Sequence, residues 1–198
     1  MDGVKAVGIG VVRTDRVQRP LPALPPGLTL SRLADGDSVA EACRGFCLGM
    51  IKRTYGYDYT PAWHADLDSL RDGGRSQYAE CNRGAFFLLR DAAGGVVGTA
   101  GVRGLRHSPG LAATFASRYP DIERVAFNCR LYVDPGWRRR GLGHLLIGLR
   151  EEAACRMGYA TLYLHCEATA KRLRGYWLRQ GFRLIGAADG VAHYDKAL

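Results

Sequence analysis

The stretch that most constrains the fold is residues 131–164, LYVDPGWRRRGLGHLLIGLREEAACRMGYATLYL. It begins as a strand that must stop at Pro135, because proline cannot donate a hydrogen bond to a sheet ladder. A loop rich in arginine and glycine follows, and an amphipathic helix then begins. The first N–H groups of a helix have no partner within it and lie at the positive end of its dipole, so this loop is predicted to hold a phosphate or pyrophosphate.

From Gly27 onward the hydrophobic patterns predict an α/β (α+β) domain over residues 27–198. The predicted order is strand, two helices, three strands, helix, strand, helix and two strands. Residues 1–26 stand apart as an extension, in which VKAVGIGVV resembles a short strand and RPLPALPPG an extended proline-rich linker. The sequence shows no internal repeat and predicts no second domain.

The spacing in the loop excludes two common phosphate-binding motifs. The P-loop pattern GxxxxGK[ST] is absent, and the dinucleotide pattern GxGxxG fails at Leu146, where a third glycine is required. The pattern that matches is RxxGxG, formed by Arg138, Gly141 and Gly143 after a strand that ends in V-x-P. Together with the element order and the later helix YWLRQGF, this pattern resembles the GNAT superfamily, the acetyl-CoA-dependent N-acetyltransferases. The resemblance covers about 170 residues, all but the N-terminal extension.

The resemblance implies a GNAT-type fold, with a mixed, mostly antiparallel sheet of six or seven strands and helices on both faces. Its fourth and fifth strands would splay apart, and the pantetheine arm of acetyl-CoA would lie between them. The backbone of residues 131–133 would pair with that arm, and the loop and helix start would hold the pyrophosphate. The implied cofactor-binding residues are Leu131, Tyr132, Val133, Arg138, Arg139, Arg140, Gly141, Leu142, Gly143 and His144.

The catalytic residues are less clearly marked, because the chain departs from the family pattern. The position of the usual tyrosine, four residues before Gly181, holds Trp177, whose indole N–H donates hydrogen bonds but is not a useful acid. Tyr176, one residue earlier, is a candidate acid for the departing thiolate. His165 and Glu167, at the end of the fifth strand, are other candidates for proton transfer. Phe127 falls where many relatives carry a glutamate, so proton removal through water stays open.

The acceptor wall is predicted in YGYDYTPAWHADLDSL, where acids and aromatic rings are mixed. Asp58, Asp66 and Trp63 are the candidate residues, since carboxylates beside aromatic faces suit a cationic amine. The alternative is a solvated helix face that carries acids.

Composition excludes several other classes. The net charge is +9, and only four of the 28 basic residues are lysines, yet the arginines are scattered and no nucleic-acid-binding motif accompanies them. No cysteine pair has CxxC or zinc spacing, so no metal is expected. No window is long enough for a membrane span, and no secretory signal is evident. The sequence therefore predicts a cytoplasmic protein with neither a nucleic-acid nor a membrane partner, and leaves a homodimer open.

These observations favour an acetyl-CoA-dependent N-acetyltransferase that acts on a primary amine of a small molecule by direct attack on the thioester. Two alternatives stay open. One is an acetyltransferase for protein amines, and the other is a non-catalytic module that only binds acyl-CoA.

Overall fold

The computed structural model describes residues 22–34, 36 and 38–198. The predicted strand in VKAVGIGVV lies outside the described residues, as does the beginning of the proline-rich segment. The part of that segment that is described does not stand clear of the domain, because Leu24 packs against an apolar cluster that contains Leu28, Leu142 and Leu146.

The described residues form seven strands and five α-helices, joined by short 3₁₀ turns. The strands are β1 (Thr29–Arg32), β2 (Ala85–Arg90), β3 (Val96–Gly104), β4 (Val125–Val133), β5 (Thr161–Glu167), β6 (Arg183–Ala188) and β7 (Val191–Ala197). The helices are α1 (Ala40–Tyr55), α2 (Pro61–Asp68), α3 (Pro109–Thr114), α4 (Leu142–Arg156) and α5 (Lys171–Arg179). The predicted order of elements is confirmed except for α3, a short helix that lies between β3 and β4, where consecutive strands were predicted. None of these helices is both long and apolar enough to cross a bilayer.

All seven strands lie in one sheet, in the order β1-β2-β3-β4-β5-β7-β6. Every neighbouring pair is antiparallel except β4 and β5, which are parallel. A parallel pair needs a crossover connection, and α4 supplies it between these two strands. The prediction of a mixed, mostly antiparallel sheet is therefore confirmed.

Helices cover both faces of the sheet. Strand β2 illustrates the reason, because it carries apolar side chains on both of its faces. Successive side chains of a strand point to opposite faces. Phe86 and Leu88 pack in a cluster with residues of α1 and α2, whereas Leu89 packs with Leu142 and Leu146 of α4. A continuous apolar run such as AFFLLR is typical of a strand buried on both faces.

Strands β4 and β5 separate soon after they meet. Their pairing covers only Val125–Phe127 and Thr161–Tyr163, although β4 continues to Val133. The register between β3 and β4 shifts near Arg130, whose φ of 54° is left-handed. Such a bulge bends a strand and increases its local twist. The splayed fourth and fifth strands are thus confirmed, and they leave a gap in the middle of the sheet.

Candidate active site

The arginine–glycine loop brings the start of α4 beside the end of β4. Asp134 Oδ1 accepts a hydrogen bond from the N–H of Gly136 at 2.9 Å, which closes the turn after the strand. Gly141 stands at the N-cap of α4 with a φ of 79° and no side-chain cap. This left-handed conformation is one that glycine adopts at little cost. The first N–H groups of α4 therefore face the loop without side-chain competition, as an anion site requires.

Gly143 lies in the first turn of α4 and leaves room for a phenol. A Cβ atom at Gly143 would come within 2.8 Å of Tyr176 Oη, closer than real contacts allow. That hydroxyl is buried and finds no hydrogen-bond partner among the described residues. An unused donor beside unused helix amides fits a pyrophosphate, so the residues present suit the group that the resemblance implies.

The three loop arginines lie around this helix start and are exposed. Arg138 Nε donates to the Val133 carbonyl oxygen at 3.0 Å. The Arg140 guanidinium stacks on Trp137, 4.7 Å from the ring centre. Exposed arginines of this kind supply long-range attraction for phosphates.

A cavity of about 810 Å³ passes through the gap between β4 and β5. Leu131 and Tyr132 of β4 line it, and beyond Phe127 this strand no longer pairs with β5. The edge of the strand is therefore available to an extended ligand. Trp63 and His107 line the cavity on the side of α2, and Trp177 lines it on the side of α5.

Of the three predicted acceptor residues, the structure places two at the cavity. Trp63 is 63% exposed and lines the mouth, where its ring meets Tyr57 edge-on at 5.9 Å. Asp66 also lines the cavity. Asp58 is not among the lining residues; it is exposed and forms an ion pair with Lys52 at 2.7 Å.

Asp66 is already neutralised within the protein. Its carboxylate accepts from Arg130 Nη2 at 2.5 Å and Nε at 2.8 Å, and from the Tyr78 hydroxyl at 2.5 Å. Burial alone would raise the pKa of Asp66, but the hydrogen bonds and charge of Arg130 lower it below its usual value. Asp66 is therefore ionised at neutral pH, and its charge is paired with that of Arg130.

His165 faces the cavity from β5, with its ring 5.3 Å from that of Phe127. Loss of water around the ring lowers the pKa of His165, and the charges of His193, Arg130 and Arg103 lower it further. The imidazole is neutral at pH 7 and can accept a proton.

Tyr176 and Trp177 are adjacent in α5 but contact different parts of the molecule, the start of α4 and the cavity. Trp177 lines the cavity, and its buried Nε1 has no acceptor in the described part of the chain. Tyr176 is absent from the cavity wall and lies against Gly143. The structure therefore brings His165 and Trp177 to one cavity and places Tyr176 beside the loop.

Sequence reasoning missed three buried polar residues of the cavity wall. Arg103, Asn128 and Arg150 all line it, and each carries side-chain atoms without a partner among the residues described. A signal for Arg150 was present, because it follows Leu146 by four residues and Ile147 by three, on the apolar face of α4. Asn128 likewise interrupts the apolar beginning of β4. No described group of three or more His, Cys, Asp or Glu side chains could hold a metal ion.

Comparison with known proteins agrees with this geometry. A family model described as the acetyltransferase (GNAT) family matches residues 50–182, more than half of the chain. A protein of Danio rerio, probable N-acetyltransferase 14, is 32% identical over 68 residues, which are 34% of this chain. The matched part is only 24% of that protein's length.

Solved structures share the fold at low sequence identity. An acetyltransferase from Streptococcus agalactiae 2603 superposes with a TM-score of 0.66 at 15% identity, over 87% of this chain and 99% of that one. A GNAT-family acetyltransferase from Staphylococcus aureus MU50 gives 0.65 at 18% identity, over 86% and 99%. PaiA N-acetyltransferase from Thermoplasma acidophilum, in complex with coenzyme A, gives 0.57 at 15% identity, over 86% and 99%.

Proposed function

Because the chain belongs to the acetyltransferase (GNAT) family, we propose that it transfers the acetyl group of acetyl-CoA to a primary amine of a small molecule. The observation that carries the proposal is the cavity of about 810 Å³, which joins the gap between β4 and β5 to the wall formed by α2. Its volume is in the range of small-molecule sites, which favours a small acceptor over a protein amine.

The cosubstrate would be held by backbone atoms more than by side chains. The amides at the start of α4 and the Tyr176 hydroxyl would bind the pyrophosphate. The edge of β4 over residues 131–133 would pair with the pantetheine arm, as a neighbouring strand would. Acetyl-CoA would supply the activated thioester, and the protein would position that thioester for attack by the amine.

Proton transfer would depend on groups that face the cavity. The amine must be neutral to attack, and the neutral His165 imidazole is a suitable acceptor for its proton. A backbone N–H at Val133 or a neighbour would stabilise the oxyanion. The Trp177 indole N–H would donate a hydrogen bond to the departing sulfur, although it cannot protonate it.

A screen of amines with acetyl-CoA, followed by release of free thiol, tests the proposal. We expect release above the rate without amine for at least one small amine. A protein that binds acetyl-CoA yet releases no thiol with any small amine, peptide or protein amine would be a binding module and would contradict the proposal. Release with protein amines alone would replace the small acceptor with a protein.

The pH dependence of kcat/KM tests His165 separately. Because the pKa of His165 is lowered, its activating deprotonation should be complete by about pH 6.5, the usual histidine value. Activity should therefore rise with pH through a limb below that value. We expect His165→Gln to remove this limb and to lower the plateau by roughly tenfold or more. An unchanged limb in the variant would exclude His165 as the base.

A further inference from the structure

Arg150 is a buried cation that forms no ion pair with any described residue. Its side chain is 0% exposed in the middle of α4. Nη1 makes one long hydrogen bond, 3.5 Å, to the carbonyl oxygen of Cys129. Nε and Nη2 find no acceptor in the part of the chain that the structure describes. Burial lowers the pKa of Arg150 to about 10, so it is charged at neutral pH, and burying an unpaired charge costs stability unless a partner arrives.

The two unpaired nitrogens of Arg150 are Nε and Nη2. In two other arginines of this molecule the same pair of nitrogens binds a carboxylate. Arg130 holds Asp66 through Nε at 2.8 Å and Nη2 at 2.5 Å. Arg118 uses the same two nitrogens on a single oxygen of Asp195, Oδ2, at 2.9 and 2.7 Å. Neighbouring N–H groups of a guanidinium match the two oxygens of a carboxylate. Arg150 lines the cavity, and its Nε and Nη2 are the same pair of nitrogens that hold Asp66 and Asp195 on the other two arginines. Because the Arg150 side chain is 0% exposed, a ligand carboxylate would reach this pair by displacing the side chains that now cover it.

A second unsatisfied polar group lies on the same face of the sheet. Asn128 is 5% exposed, and neither its oxygen nor its nitrogen has a partner among the described residues. It shares its face with Ala126, two residues earlier on β4, which packs in one cluster with Ile147 and Trp177. This is the face covered by α4 and α5, opposite to the acceptor wall of α2.

We infer that the cavity accepts, besides acetyl, acyl groups that end in a carboxylate, such as succinyl, with Arg150 as the bidentate partner. This inference rests on the proposed function. With the pyrophosphate at the start of α4 and the arm along residues 131–133, the acyl group would point along β4 toward Cys129. Two residues of a strand span about 6.6 Å. The two methylene groups and the carboxylate of a succinyl chain, together with a hydrogen bond of about 2.8 Å, have a combined length similar to this separation along β4.

The chemistry of transfer is the same for such a donor. The amine nitrogen bonds to the thioester carbon, the carbon–sulfur bond breaks, and CoA leaves as a thiol with the proton that the amine gives up. The product is an amide that carries a free carboxylate. The terminal carboxylate takes no part in the reaction and stays on Arg150.

Calorimetry on the full chain, without amine, tests the inference with three thioesters. Succinyl-CoA and butyryl-CoA have acyl groups of equal length and differ in the terminal carboxylate, and acetyl-CoA is the reference. We expect wild-type protein to bind succinyl-CoA at least tenfold more tightly than butyryl-CoA, since the uncharged chain leaves Nε and Nη2 of Arg150 without a partner. Equal affinities would overturn the inference, and this comparison needs no variant.

Two matched variants locate the effect. Arg150→Met should bring the ratio of succinyl-CoA to butyryl-CoA affinity to about one. Arg103→Met is the control, because Arg103 lines the same cavity and its Nε and Nη1 also lack partners among the described residues. Its Nη2 donates to Ser108 at 3.0 Å, so its Nε–Nη2 pair is not vacant as that of Arg150 is. A preference that survives Arg150→Met, or is lost in Arg103→Met, would contradict the assignment. Equal binding of all three thioesters leaves the proposed function intact, whereas binding of none of them refutes both proposals.

Discussion

Two regions of this molecule present groups suited to anions, and they are built in opposite ways. The loop before α4 uses backbone amides, and its arginines stay exposed to water. The cavity uses side chains that come from separate segments, with the buried Arg103 on β3, the buried Arg150 on α4 and the partly buried Arg130 on β4. An exposed charge has little effect on the free energy of unfolding, whereas the effect of a buried charge depends strongly on whether it has a partner. The difference shows that a local motif can specify a backbone site, but that a side-chain site requires the whole fold.

The largest effect is expected for the buried ion pair of the cavity. Asp66→Ala leaves the Arg130 guanidinium buried without its carboxylate, so we expect a loss of about 3–5 kcal/mol in the free energy of unfolding. Urea denaturation measures it. Asp58→Ala is the matched control, because the Asp58–Lys52 pair is exposed, and its unfolding midpoint should not move. Similar effects for the two variants would remove the distinction between buried and exposed charges.

The next effect concerns the backbone site. Gly143→Val places a side chain where the Tyr176 hydroxyl lies, so the first turn of α4 and the phenol can no longer close around a phosphate. We expect CoA to bind roughly a hundredfold more weakly, with a much smaller change in stability. Arg139→Ala, which changes an exposed loop arginine, should weaken binding by no more than about threefold. Calorimetry that shows wild-type affinity in Gly143→Val would refute the assignment of the loop.

Tyr176 and Trp177 allow a finer comparison, because these neighbours face the two different regions. Trp177→Phe removes a buried N–H, which has no acceptor among the described residues, from a residue that lines the cavity, so we expect kcat to fall about tenfold while KM for acetyl-CoA changes little. Tyr176→Phe removes the hydroxyl beside Gly143 and should mainly raise that KM. If Tyr176→Phe lowers kcat more than Trp177→Phe does, the phenol is the acid that the sequence first suggested.

The smallest effect is expected at the N-terminal segment. A chain that begins at Pro25 loses Leu24, which packs against the cluster containing Leu142, and Pro22, which lies beside Gly141. We expect it to fold and to bind CoA, with a melting temperature lower by a few degrees. Leu24→Ala in the full chain should reproduce most of that loss. Failure of the shortened chain to fold would make the segment an integral part of the domain.

The sequence was most informative where structure is local. The hydrophobic period of α4, the stop at Pro135 and the glycines of the loop lie within one stretch, and together they specify a strand, a loop and a helix. The order of strands followed from the resemblance. These features depend on neighbours along the chain, so they can be read from one segment.

The cavity could not be predicted in the same way. Asp66 was expected to meet an amine, but Arg130 comes from a segment 64 residues away and occupies it. Whether a carboxylate is free depends on such distant partners, and the pattern around α2 contains no information about them. Tyr176 was chosen as a candidate acid for the chemistry of its phenol, although helix phase favoured Trp177, which lies about 100° away around the helix.

The short seam between β4 and β5 has a mechanical consequence. Three residue pairs join the two strands, so the sheet consists of two plates, β1–β4 and β5–β7, fastened at one end. An extended ligand in the gap would hydrogen-bond along the free edge of β4 and brace the plates against each other. The cosubstrate would then restrict the relative motion of the two parts of the sheet as well as react. Each release of CoA would restore that motion, and binding of the next acetyl-CoA would restrict it again.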